Sequence, residues 1–368
     1  LILSLLPIAQ SIGRFAQCAF VLADTVLPVV VEIVRQRKHE DISEIASSFA
    51  FNLASVGNSF IASRMINKGV VGMLTYASQT ISHRIRAAMA ISSAVEALLR
   101  KTLGLEDSTQ AIDVVVSEGA LLASLSALRR HLEDRPIVLA TCATLQILLL
   151  QDRHATYVLE QYPLELLASV LDGMQEELSI VVAVFRVFLC AGSSDEGRKQ
   201  LAEHGCIGRV VVTARLFENN IVIAKLTTAI FVSISLDWTC REALLARDTV
   251  SMILETMDKH SKDVEVLKCC CQALYNLSSD GPGSTQLLSE GAFAGLLRLS
   301  ARQTQDGVET EVMLCCLKGL ANMVIEASEE QRERCRDVLG KIIPELESEQ
   351  HLDVLVCAKL LRDECLAF

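Results

Sequence analysis

Aromatic residues are scarce, at 4% of the 368 positions with a single Trp, and Pro and Gly number only 6 and 18. So little Pro and Gly, beside 51% hydrophobic residues, argues against a disordered chain. Sustained period-2 alternation is missing, which argues against β-sheet architecture. No apolar run reaches the roughly 18–20 residues that a membrane span needs; Arg14, Asp24, Arg186 and Lys225 interrupt the candidates. Excess positive charge is also absent. The net charge of -11 repels phosphate backbones and disfavours nucleic acid as a partner.

Chemical motifs are equally absent. The sequence holds no G-x-x-x-x-G-K-[ST], no G-x-G-x-x-G, no H-E-x-x-H and no G-x-S-x-G. The 7 His are scattered, and Asp280–Ser284, although Gly-rich, reads as a turn between helices. The 13 Cys are odd in number and include no C-x-x-C pair, so neither a disulfide framework nor a zinc site is expected. They read instead as buried thiols acting as small hydrophobes, in a reducing cytoplasmic or nuclear compartment. We expect no catalysis, no cofactor and no bound metal.

What the sequence does contain is periodicity. Gly119 to Gly205 and Gly205 to Gly291 are each 86 residues, and the midpoints, Tyr162 and Asp248, again fall between two apolar helical runs. The implied unit of about 43 residues lies in the 40–47 range of helical repeats. Unit openings are expected near 26, 69, 119, 162, 205, 248, 291 and 340, forming one array over 1–368 with an incomplete unit at 1–25. Two steps are longer, and their extra residues are assigned to loops at Glu106–Ser108, at Gln305–Gly307 and around Glu329-Glu330.

Each unit reads as three helices. A short first helix ends at the Gly, whose freedom to take a left-handed backbone lets the chain turn sharply. A second helix of about ten residues and a longer third one follow, with apolar residues at helical spacing. The run Ile207–Val212 looks strand-like alone, but its place in the repeat makes it a second helix. Asp41-x-x-Glu44 and Ser328-x-x-Gln331 read as capping boxes, and Ser194 and Asp263 as N-caps. Cys142, Cys190, Cys270 and Cys315 fall in third helices, where small side chains let helices approach.

The segment Ala273–Leu297, ALYNLSSDGPGSTQLLSEGAFAGLL, resembles the core of an armadillo repeat, and Gly319–Ala327 and Phe49–Gly57 echo its third helix. The resemblance implies an all-α fold, an armadillo-type α-solenoid of seven to eight three-helix units in a right-handed superhelix. It also implies a concave groove lined by third helices, whose Asn residues bond the backbone of an extended peptide. The matching residues here are Asn52, Asn276 and Asn322. An amide carries two donors and an acceptor, so it suits a peptide bond without reading sequence. Gln272, Lys318 and Arg186 complete the candidate groove. Nuclear-import adaptors of the family carry Trp one turn before the Asn, where this chain has Ser48, Gln272 and Lys318. The single Trp238 is expected in a loop, so the shelf that would stack on basic side chains is missing.

The expected function is therefore a scaffold or adaptor that binds a protein partner, an extended segment or a helical element, along that groove. One alternative is a structural subunit of a larger assembly, held by its ends or convex face. Another is a regulator of a bound enzyme or GTPase. The nearly uncharged stretch from Leu1 to Val34 favours the first alternative, although the absence of Met at position 1 leads us to expect upstream residues that cover it. The stretches RERCRDVLGK and ESEQHLD read as a polar end cap.

Overall fold

The computed structural model describes residues 16–37, 39–105, 107–245, 248–306, 309–349 and 351–367. The start of the apolar N-terminal stretch, residues 1–15, lies outside them. Among the described residues all regular structure is helical, in 23 α-helices. They run as successive triplets: α1 (Ala16–Thr25), α2 (Leu27–Arg37) and α3 (Glu40–Val56); α4 (Ser59–Asn67), α5 (Val70–Ile81) and α6 (Ile85–Thr102); α7 (Ser108–Ser117), α8 (Ala120–Arg130) and α9 (Arg135–Leu149); α10 (Asp152–Leu159), α11 (Pro163–Met174) and α12 (Leu178–Ala191). The pattern continues with α13 (Asp195–Glu203), α14 (Cys206–Leu216) and α15 (Ile221–Ser235); α16 (Trp238–Leu245), α17 (Thr249–Lys259) and α18 (Val264–Leu277); α19 (Gly281–Ser289), α20 (Ala292–Asp306) and α21 (Thr310–Val324). A closing pair, α22 (Glu329–Glu349) and α23 (Leu352–Ala367), completes the chain.

The turn from first to second helix has a consistent physical basis. Gly69, Gly119, Gly205 and Gly291 all have positive φ, between 67° and 91°, and Tyr162 takes the same conformation at φ 52°. A β-carbon penalises that region by roughly 1–2 kcal/mol, which is why four of the five positions are Gly. Side-chain caps fix several other starts. The Oδ1 atoms of Asp134, Asp263 and Asp280 accept the amide protons of Ile137, Val266 and Gly283 at 3.1, 3.0 and 2.7 Å. Ser194 caps Gly197, and Ser328 and Gln331 form a reciprocal box through Ser328 N–H to Gln331 Oε1 at 2.8 Å and Gln331 N–H to Ser328 Oγ at 3.3 Å.

Several expectations need correction. Asp41 does not cap α3. His39 holds the extended backbone of the cap position, and Asp41 lies inside the first turn. There it joins Glu40 and Glu44 around Arg84, whose guanidinium donates to them at 2.7, 2.7 and 3.0 Å. The hydrogen bond from Arg84 holds the Asp41 carboxyl below its ordinary pKa. No second helix opens at Gly340. Buried Cys335, Leu339, Ile342, Ile343 and Leu346 keep one helical stripe in phase through that position, so α22 runs on unbroken. Gln305 and Asp306 extend α20 instead of forming a loop. Trp238 is the first residue of α16 and not a loop residue.

Contacts divide the chain into two compact units, with the boundary between Cys190 and Ala191. In unit 1 the third helices pack side by side, α3 on α6 and α6 on α9, around fully buried Phe49, Leu53, Ile91, Leu98 and Leu145. In unit 2, α15 packs on α18, α18 on α21 and α21 on α23, with Phe231, Leu274 and Leu320 at their centre. Polar bonds repeat the same register. Arg84 reaches back 40 to 44 positions to its carboxylates, Arg153 reaches back 40 to Asp113, and Lys225 reaches forward 40 to Glu265.

Candidate functional site: the third-helix face

Each third helix buries one side against its neighbours and second helices, and leaves another side uncovered. In unit 2 the uncovered row runs through Lys225, Ala229 and Val232 on α15, Lys268, Gln272 and Tyr275 on α18, and Leu314, Lys318 and Ala321 on α21. All of these are half-exposed or exposed. It is a shallow surface of mostly small or uncharged groups, bordered by ion pairs. Lys225 Nζ lies 3.1 Å from Asp263 and 2.6 Å from Glu265, and Lys268 pairs with Glu311. Burial works against the Asp263 carboxylate, but the Val266 amide and Lys225 outweigh it and set its pKa below the ordinary value.

Beneath this row runs a polar ladder that the sequence reading did not foresee. Ser233 Oγ donates to the Gly192 carbonyl at 2.6 Å. Asn276 Nδ2 donates to Ser235 Oγ at 2.9 Å. Asn322 Nδ2 donates to Ser278 Oγ at 3.1 Å and approaches the Tyr275 carbonyl at 3.4 Å. Asn276 thus reaches the last residue of α15, and Asn322 the residue just past the end of α18. Gln272 Nε2 donates to Asn276 Oδ1 at 2.9 Å, while Gln272 Oε1 accepts from the Cys315 thiol at 3.2 Å. Gln272, Asn276 and Asn322 are thus brought together as ties between helices. Asn276 is only 6% exposed, so its amide is committed to these internal bonds. Lys318 is exposed on the same face. Asn52, half-buried on α3, and Arg186, exposed on α12, belong to unit 1. The serine partners are the signal that could have revealed the ladder, since Ser235 and Ser278 stand one repeat apart.

Burial opposes ionisation of several of the thiols. All 13 Cys are free; eight are buried and five half-buried. Burial alone pushes the Cys142 thiol up to about 12, and it raises Cys190, Cys269, Cys270 and Cys315 as well. Cys271 and Cys316 meet across α18 and α21 at 3.4 Å, as packed thiols. A thiol must ionise to attack or to ligate a metal, and these environments oppose that. Among the described residues, no three His, Cys, Asp or Glu side chains converge to hold a metal ion. No single helix there is long and apolar enough to cross a membrane; only the pair α7 and α8, bent by 55°, passes the same test when joined.

Exposed apolar groups mark other parts of the surface. Trp238 is 75% exposed. On α23, Leu352, Val356 and Leu360 form an exposed stripe at helical spacing, so this end is less polar than RERCRDVLGK and ESEQHLD suggest. In unit 1, Phe20 and Phe60 stack with ring centroids 5.8 Å apart, and the Arg64 guanidinium sits 4.7 and 4.8 Å from the two rings.

No protein-family model matches the chain, and no curated protein matches it either. Among solved structures, the crystal structure of an engineered protein is similar, with a TM-score of 0.61 at 16% identity over 97% of this chain and 94% of that one. A second engineered protein gives a TM-score of 0.56 at 17% identity, over 69% of this chain and 96% of that one. At such identities the likeness concerns the all-helical fold alone.

Proposed function

We propose that the chain is an armadillo-type α-solenoid, a single right-handed array over 1–368, and that it is a non-catalytic scaffold or adaptor. Its partner is an extended or helical protein segment laid along the third-helix face. The observation that carries this reading is the uncovered layer itself. Each third helix buries its apolar stripe within the layer, which leaves the opposite side free to meet a partner. The triplet order, the left-handed turns and the bonds between residues about one repeat apart all support the solenoid. Free thiols at 13 positions suit a reducing compartment, cytoplasmic or nuclear.

The ladder changes which residues meet the partner. Asn276 acts as a structural tie, and recognition falls to exposed groups such as Lys318 and Arg186. The test is a pull-down with mass spectrometry that compares the wild-type chain with Lys318→Glu/Arg186→Glu. Both side chains are exposed, so the fold is kept. Loss of about tenfold or more in partner recovery, equivalent to about 1.4 kcal/mol, is expected. Equal recovery in a folded variant counts against the face. The Leu352, Val356 and Leu360 stripe favours a second reading, a structural subunit held by its end; retention in the double variant with loss in Leu352→Ser/Leu360→Ser would select it.

A further inference from the structure

Unit 1 carries two adjoining hollows, the first edged by both arginines and carboxylates and the second acidic, on the edge where second helices turn into third helices. The first, of about 460 Å³, is lined by Ile85, Arg129, Arg130, His131 and Glu133 among others. The second, of about 510 Å³, is lined by Glu133, Asp172, Glu176 and Glu177 beside the α11–α12 turn. Glu133 forms the wall between them. A β-carbon on Gly173 would lie 3.8 Å from its side chain, which places the two turns against each other. His131 Nε2 sits 2.7 Å from the Ser82 carbonyl and ties the first hollow to the turn before α6.

The edge is thus a dipole. Arg129, Arg130 and Arg135 stand on one side, all exposed, and Glu176 and Glu177 stand exposed on the other. Asp134, between them, is occupied as the cap of α9. Among the described residues, Arg130, Arg135, Glu176 and Glu177 have no partner of opposite charge within 4.0 Å. An exposed apolar residue flanks each side, Ile85 at the basic hollow and Leu178 next to Glu177.

We propose that this edge joins two copies of the chain through a two-fold axis. A two-fold contact brings residue i onto j and j onto i. Turning a second copy by half a revolution lays the Arg130 and Arg135 side of each chain on the Glu176 and Glu177 side of the other. Ile85 then meets Leu178 twice. A purely acidic or purely basic partner would pair with the side chains on one side of the edge and be repelled by those on the other, whereas a second copy satisfies both. The contact uses the turns before α9 and α12 and the first residues of α6, α9 and α12, not Lys318 or Arg186, so it does not depend on the function proposed for those two residues. Charge pairs of this kind set specificity and register, and like charges placed opposite one another act strongly against association.

Sedimentation velocity on the full chain tests this over roughly 1–100 μM, a range that reaches the weak end of protein–protein affinities. The wild type forms a reversible dimer that weakens with salt. Arg130→Glu/Arg135→Glu and, separately, Glu176→Arg/Glu177→Arg each raise the dissociation constant by at least about tenfold. Combining all four substitutions restores the dimer, because the dipole is reversed in both copies. All four side chains are exposed, and circular dichroism verifies the fold. A wild type that stays monomeric, a dimer indifferent to either reversal, or a fourfold variant that fails to re-associate overturns the proposal.

Discussion

Replacing Phe231 by Ala lowers the unfolding free energy of unit 2 by about 3–5 kcal/mol, the usual cost of removing a fully buried aromatic side chain. Phe231 has no exposed surface and sits on α15, where that helix packs on α18. In a layered helical core the ring fills space that neither α18 nor the second helices can reach without moving as whole elements. The cavity therefore collapses only in part, and the lost contacts add to the transfer term. Urea unfolding followed by circular dichroism measures the effect. Leu236→Ala is the control, one turn beyond on the same chain but 59% exposed, and it shifts stability by no more than about 0.5 kcal/mol. Similar costs for the two would mean that α15 does not pack as described.

Gly283→Ala is the second large effect, and it runs against helix propensity. Gly inside a helix usually gains up to about 1 kcal/mol on becoming Ala. Here the added β-carbon would lie 2.1 Å from the carbonyl oxygen of Leu277, a backbone atom that cannot swing aside. The first turn of α19 must then withdraw from the end of α18. That also stretches the 2.7 Å bond from the Gly283 amide to Asp280. A net loss of about 1–3 kcal/mol is expected. Gly281→Ala in the same helix is the internal control, since its β-carbon meets nothing within 4 Å. That variant should be neutral or slightly stabilised. Thermal unfolding distinguishes them, and equal melting temperatures would contradict the close approach of α18 and α19.

Much of the architecture was legible because it depends on local chemistry. The left-handed turns needed Gly at 69, 119, 205 and 291, and the interval between those residues is visible without structure. The caps at Ser194, Asp263 and Ser328 were readable because a side-chain oxygen immediately before a helical run has few other uses. Asp41 misled for a related reason. An acidic residue near a helix start serves equally as a cap or as the partner of a distant cation, and Arg84 is 43 positions away. Gly340 misled because glycine alone does not break a helix whose apolar stripe stays in phase on either side.

The candidate face was legible only in outline. The third-helix Asn residues read from the sequence as groove residues for a bound peptide; in the fold, Asn276 and Asn322 are bonded to the end of the preceding third helix. A single helix read alone gives no sign of Ser235 or Ser278. The pattern also fades in unit 1, where Ala97, Ile147 and Cys190 take the corresponding places in α6, α9 and α12 and offer no amide. The charge dipole at the α8–α9 and α11–α12 turns was hidden for the same reason, since it arises from two turns about one repeat apart in sequence.

The central claim, that the third-helix face receives the partner, is tested most directly by site-specific photo-cross-linking in cells. A benzophenone side chain is introduced at Lys318, on that face, and separately at Arg298, exposed on the second helix α20. Both positions are exposed and tolerate the group without loss of packing. The account predicts a discrete protein adduct from position 318 that position 298 does not give. The same adduct from 298 with none from 318 would place the partner on the opposite side of the layer and contradict the account.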